Sequence, residues 1–263
     1  MRTNVISRAL LVLVSMAIFM QARSQIARPQ ASPFDRPVRT VKVDLGPSEF
    51  YEPKGKVRNT LTCYYYPLFV VKELDEGEKG AEWGGIVPII AGNLPQCKQN
   101  QEKGEIRFDQ VHWLGYFSGV VGNYVFQDAP DGLNGSLYFR IVDATTGTNL
   151  FEDEAKRNYR MKDGNLVWEG ERLWIERPAR GGPVLTYTRG YFAKCSLYKD
   201  GAACWKKIRA ATGLPNMPVP KCSGEYKDDP DDPSVIFYPV RVALGPQSEA
   251  KPVPGPVRCE AQE

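Results

Sequence analysis

The chain has 263 residues, 42% of them hydrophobic and 25% charged, a composition that excludes a disordered polar chain. Its formal net charge of +3 rests on Arg2, Arg8 and Arg23 alone, all in the first 24 residues. Without that segment, 239 residues carry equal numbers of basic and acidic side chains, so no excess field remains to hold nucleic acid or an anionic membrane.

The N-terminus reads as an export signal over residues 1–24. Met1 to Arg8 is a short positive region, Ala9 to Met20 an apolar run, and Ala22-Arg23-Ser24 places small residues before a cut at Gln25. Twelve apolar residues span about 18 Å as a helix, short of a hydrocarbon core of about 30 Å. No later run is long and apolar enough to span, so a secreted or periplasmic chain without a membrane span is expected.

Residues 25–37 are expected to be irregular. Five of the 21 prolines fall between Pro29 and Pro53 and ten more between Pro215 and Pro256, leaving the regular core in between. The core pattern has period two. Leu61 to Leu74, Glu105 to Asp128, Ser136 to Asp143, Asn165 to Arg177 and Val184 to Ser196 are rich in aromatic and β-branched residues, and Gly-containing turns separate them. Tyr138 to Asp143 and Thr148 to Glu152 predict a hairpin, with Gly147 as the positive-φ residue of a bulged turn. Only Ala202 to Thr212, stopped by Gly213 and Pro215, reads as a helix. The fold class is therefore all-β: an antiparallel sandwich or barrel-like single domain over residues 38–245. One short helix sits in the C-terminal third, and a proline-rich tail follows over residues 246–263.

Six cysteines in an exported chain read as three disulfides. Proximity favours Cys63–Cys97, Cys195–Cys204 and Cys222–Cys259. The last pair has its own argument. Cys259 lies in a Pro-rich tail expected to be neither helix nor good strand, and a bridge would hold that tail down.

Several chemistries lack their residues. There is no GxSxG elbow, phosphate loop or HExxH, and any nucleophile–histidine mechanism would have to use His112, the only histidine. Three patterns remain. Asp128, Asp131 and Asn134, spaced by three in a Gly-containing loop, could gather around Ca²⁺, or could bond their own backbone in Asx turns. No other cofactor is implied. Glu169 and Glu171 flank Gly170 near Trp168 and Trp174; on a regular strand the two carboxylates would lie about 6.6–6.8 Å apart along the chain, near inverting-glycosidase spacing. The plain alternative has the glutamates solvated and the indoles buried. Tyr64, Tyr65 and Tyr66 alternate across a strand, so one sheet cannot bury all three, and Tyr64 and Tyr66 join the two tryptophans as candidate ligand-binding aromatics. Together these features suggest a non-catalytic binding or structural module whose partner is a glycan or an envelope or extracellular protein surface. The alternative is a carbohydrate-active hydrolase using paired carboxylates.

Overall fold

Five consecutive strands near the N-terminus fold into a meander because each is short, β-branched or aromatic, and ended by a turn. They are β1 (Arg39–Pro47), β2 (Arg58–Tyr65), β3 (Phe69–Asp75), β4 (Trp83–Pro88) and β5 (Ile106–Asp109), hydrogen-bonded in that order and antiparallel throughout. The segment from Leu61 to Leu74, rich in aromatic and β-branched residues, is split by a tight turn at Pro67-Leu68, closed by the Tyr66 N–H on the Phe69 carbonyl at 2.8 Å. β1 is the outer edge, and its ladder shifts register between Asp44 and Gly46.

The second sheet is larger. Its spine runs β15 (Lys251–Pro252), β14 (Ser234–Ala243), β13 (Val184–Phe192), β9 (Asn149–Lys156), β8 (Ser136–Asp143), β7 (Tyr124–Asp128) and β6 (Tyr116–Val121). β12 (Trp174–Glu176) pairs with β13, and β16 (Arg258–Ala261) pairs with β14. A separate hairpin joins β10 (Tyr159–Lys162) to β11 (Asn165–Trp168). This computed structural model describes residues 32–48, 57–77, 80–90, 94–109, 112, 115–157, 159–162, 165–168, 173–223 and 229–262, with backbone only in β10 and β11. The expected export signal lies outside the described residues.

The hairpin around Gly147 forms as its sequence implies. Gly147 has φ 72°, its N–H meets the Asp143 carbonyl at 2.8 Å, and Asp143 Oδ1 accepts from the Thr145 and Thr146 amides. The helix α1 (Leu197–Thr212) is longer than Ala202–Thr212. A first turn capped by the Ser196 hydroxyl precedes a break at Gly201, and the regular part then runs to Gly213. Gly213, at φ 72°, donates to the Arg209 carbonyl and ends the helix in the left-handed conformation that glycine adopts without strain. The tail also exceeds expectation. Its prolines do not keep it from the sheet: β15 and β16 add to the free side of β14, because an edge position leaves the missing proline N–H pointing away from the ladder.

The two sheets stack as a sandwich. Tyr66, Phe69, Val71, Ile86 and Phe108 of the first meet Val120, Val125 and Val142 of the second in a shared layer. The outer face of the five-stranded sheet, with Leu61, Val70, Leu74 and Val87, lies under the segment 94–105. The far face of the nine-stranded sheet, with Phe139, Leu185, Ile236, Tyr238 and Val240 and with Cys259 and Ala261 of β16 beside them, lies under Leu197, Trp205 and Ile208 of α1.

The three disulfides connect Cys63 to Cys97, Cys195 to Cys204 and Cys222 to Cys259, with Cα separations of 5.8, 5.9 and 4.4 Å. All lie in the ordinary range for a bridge. They tie the 94–105 cover to β2, α1 to the bend between β13 and α1, and the stretch after α1 to β16.

Candidate functional site

Of the aromatics singled out in the sequence, the structure brings Tyr64 and Tyr66 together and places the others apart. Both point into the layer between the sheets, where their rings stack on Phe117 with centroids 4.6 and 6.5 Å away. Tyr66 is buried and Tyr64 half-buried. Burial raises both hydroxyls to about 12; the charge of Glu73 adds to the shift of Tyr64, and that of Asp35 to the shift of Tyr66. Trp174 stands exposed on β12, beside the Glu176–Arg241 ion pair at 2.7 Å. Trp168 belongs to β11, of which only the backbone is described. Glu169 and Glu171 lie outside the described residues.

The 128–134 loop is a clasp. Asp128 Oδ1 takes a bond from Arg157 at 3.0 Å, and the Asn134 amide donates to the Ala261 carbonyl at 2.6 Å. The Asn134 carbonyl accepts from Lys156, which also pairs with Glu260 at 3.0 Å. Asp131 is exposed on the same loop. The loop thus fastens the β8–β9 end of the large sheet to the tail. Among the described residues, no group of three His, Cys, Asp or Glu side chains is placed to hold a metal ion. His112 is exposed, in a turn, with Nδ1 2.5 Å from Asp109 Oδ1.

A buried polar cluster sits where the large sheet is thinnest. β9 and β13 share a single paired position, Ala155 with Arg189. Beside it Asp153 accepts from the Tyr187 hydroxyl, from Arg189 Nε at 2.8 Å and from the Glu154 amide at 2.9 Å. Burial pushes the Asp153 carboxyl above its ordinary value, against the pull of Tyr187 and Arg189. The Tyr187 hydroxyl is raised too, by burial first and then by the Asp153 charge. With three donors on one carboxylate the cluster is a strut, and it joins two halves of a sheet that share almost no backbone ladder.

A concavity with room for a ligand lies elsewhere among the described residues. After Gly213 the chain turns at Pro215 and runs back along α1, held by Trp205 Nε1 on the Met217 carbonyl at 3.1 Å and Arg209 Nη1 on Asn216 Oδ1 at 2.7 Å. Between helix and returning strap lies a groove of about 620 Å³. The helix contributes one stripe at helical spacing, Ala202, Trp205, Lys206 and Arg209, and the strap contributes Met217 and Val219. Trp205 is buried beneath it, Ala202 is exposed, and Val219 is 41% exposed.

Its frame is rigid. The Cys195–Cys204 bridge clamps the start of α1, the Ser196 hydroxyl caps it and donates to the Pro230 carbonyl at 2.7 Å, and the Leu197 amide donates to Ser234 Oγ at 2.7 Å. Sequence reasoning found the helix and missed the groove. One signal was available: from Lys194 to Lys221 there are six basic residues and one acidic, Asp200, although basic and acidic residues are equal in number over residues 25–263.

No protein family, no curated protein and no solved structure matches this chain. The residues themselves therefore carry the functional argument.

Proposed function

We propose that the protein is an exported, disulfide-stabilised binding module that works outside the cytoplasm without catalysing a reaction, and that the groove along α1 is its binding surface. One observation carries this reading. All six cysteines are paired, two of the bridges fastening an irregular segment to a strand and the third fastening α1 to the loop that leads into it. Such a framework is stable in oxidising compartments and is reduced in the cytosol. The apolar run at Ala9 to Met20 and the small residues before Gln25 supply the route there. A groove built on a helix pinned at its start and its end is prearranged for a ligand, which lowers the ordering cost of binding.

The test is expression of the full chain in a bacterium with an intact secretion system, followed by fractionation and intact-mass measurement. The expected product is found in the periplasm or medium, begins at Gln25 and is six hydrogens lighter than the reduced chain. Recovery of a Met1 species from the cytoplasm with six titratable thiols overturns the reading.

A further inference from the structure

We propose that the α1 groove takes a single-headed anionic amphiphile, a carboxylate or sulfate on an unbranched aliphatic body. This rests on the reading of the groove as a binding surface and adds the ligand class. The volume of about 620 Å³ falls within the range of small-molecule sites, about 300–1,000 Å³. The inner walls are Trp205, Leu214, Met217 and Val219, with Ala202 and Ala210 leaving the helix surface low. Such walls offer an aliphatic chain dispersion contacts, while a sugar would need a dense array of hydrogen-bonding groups that these side chains lack.

The charged groups that line the groove are both cationic, and Asn216 is the one neutral polar side chain beside them. Lys206 and Arg209 line the groove, one turn apart, and among the described residues no acidic side chain does. Lys206 is exposed and has no ion pair among the described residues, so its ammonium is free to meet a head group. Arg209 is fixed by Asn216 through Nη1, and its buried Nε–H has no hydrogen-bond partner. Lys194, Lys207 and Lys221 add to the positive field around the same segment, while Lys199 is engaged by Asp231. Two cationic side chains beside apolar walls fit an amphiphile with one anionic head.

The experiment titrates the oxidised protein with four probes while Trp fluorescence and calorimetry report binding. The probes are dodecanoate, dodecyl maltoside and dodecyltrimethylammonium, each as monomers, and phosphatidylglycerol vesicles. Dodecanoate is expected to bind one to one and about tenfold more tightly than the neutral or cationic probe. Lys206→Glu is expected to weaken dodecanoate about fivefold to tenfold, the range of a reversed surface charge, and to leave dodecyl maltoside within about twofold. Ala202→Trp, at an exposed position, fills the groove and is expected to abolish binding with the melting temperature unchanged; Ala210→Trp serves the same purpose should the first variant be unstable. Equal affinity for dodecanoate and dodecyl maltoside, both lost in Ala202→Trp, overturns the anionic class and leaves the groove as a binding surface. Binding that survives both filling variants, or no binding of any probe, overturns the groove itself. Binding to vesicles without binding of free dodecanoate overturns the proposal in favour of a membrane surface.

Discussion

The two outer faces of the sandwich are covered in different ways. Over the five-stranded sheet the cover is the 94–105 segment, which has no helix or strand and is attached by the Cys63–Cys97 bridge, a Tyr65 hydroxyl bond to the Pro95 carbonyl at 3.0 Å, and one ion pair. In that pair Lys72 and Glu105 are wholly buried and 2.9 Å apart. Glu105 Oε2 also accepts from the Glu102 amide at 2.8 Å, and Gly85 leaves the space: a Cβ there would lie 2.7 Å from Glu105 Oε1. Over the nine-stranded sheet the cover is α1, which buries Leu197, Trp205 and Ile208 directly. A segment with few apolar side chains is held by covalent and ionic ties. An amphipathic helix holds itself by burial, and its outer stripe is left open to a ligand.

The sharpest way to break this contrast is to remove one charge beneath the first cover. Lys72→Met leaves Glu105 as an unpaired buried carboxylate, and a loss of about 3–5 kcal/mol in denaturant unfolding is expected. Lys72→Met with Glu105→Gln keeps an acceptor for the Glu102 amide and should recover most of it. A single variant within about 1 kcal/mol of the parent would mean that the pair does not hold the cover.

Opening the bridges should separate the covers next. Chain entropy alone assigns about 4 kcal/mol to the Cys63–Cys97 bridge, which closes a separation of 34 residues, and about 3 kcal/mol to Cys195–Cys204, which closes 9. The helix also buries Leu197, Trp205 and Ile208, whereas the 94–105 segment has few apolar side chains to hold it, so the measured gap between the two double-alanine variants should exceed that difference. Equal losses would remove the distinction.

The layer shared by the sheets gives the smallest effect and belongs to neither cover. Tyr64 and Tyr66 titrate near 12 when folded, against 10.0 for an ordinary tyrosine. A folded value above the unfolded one means that the stabilisation is fully present below pH 10 and is lost as pH rises towards 12. Phenolate absorbance should therefore show these two among the late-titrating groups, with Tyr138 and Tyr187 beside them, coupled to alkaline unfolding, and Tyr66→Phe should remove one of them. Titration of all phenols near 10 in folded protein would place these rings in water.

Local chemistry made much of this legible beforehand. The positive-φ glycine at 147, the helix stop at Gly213, many of the strand segments between residues 61 and 196 and all three cysteine pairings follow from short-range pattern or sequence proximity, while β1, β4, β10 and β14 are not among the strand segments so read. What the sequence concealed depends on distant segments meeting. The tyrosine triplet shows that one sheet cannot bury every ring, yet nothing local says that Tyr64 and Tyr66 would face Phe117 in a second sheet. Lys72 and Glu105 read as two ordinary surface charges until β3, β4 and the 94–105 cover come together. The groove needs Met217 to return to Trp205, a fold-back that Pro215 permits without specifying. The added strands of the tail have the same origin, because an edge supplied by β14 makes strands of residues that would not form them alone.

The bridges also bear on how the molecule is made. They join the first cysteine to the second, the third to the fourth and the fifth to the sixth, with no bridge enclosed by or crossing another. A chain emerging from its N-terminus presents each partner before the next pair begins. Oxidation in order of emergence therefore yields the native set directly, and no earlier bond has to be broken to admit a later one.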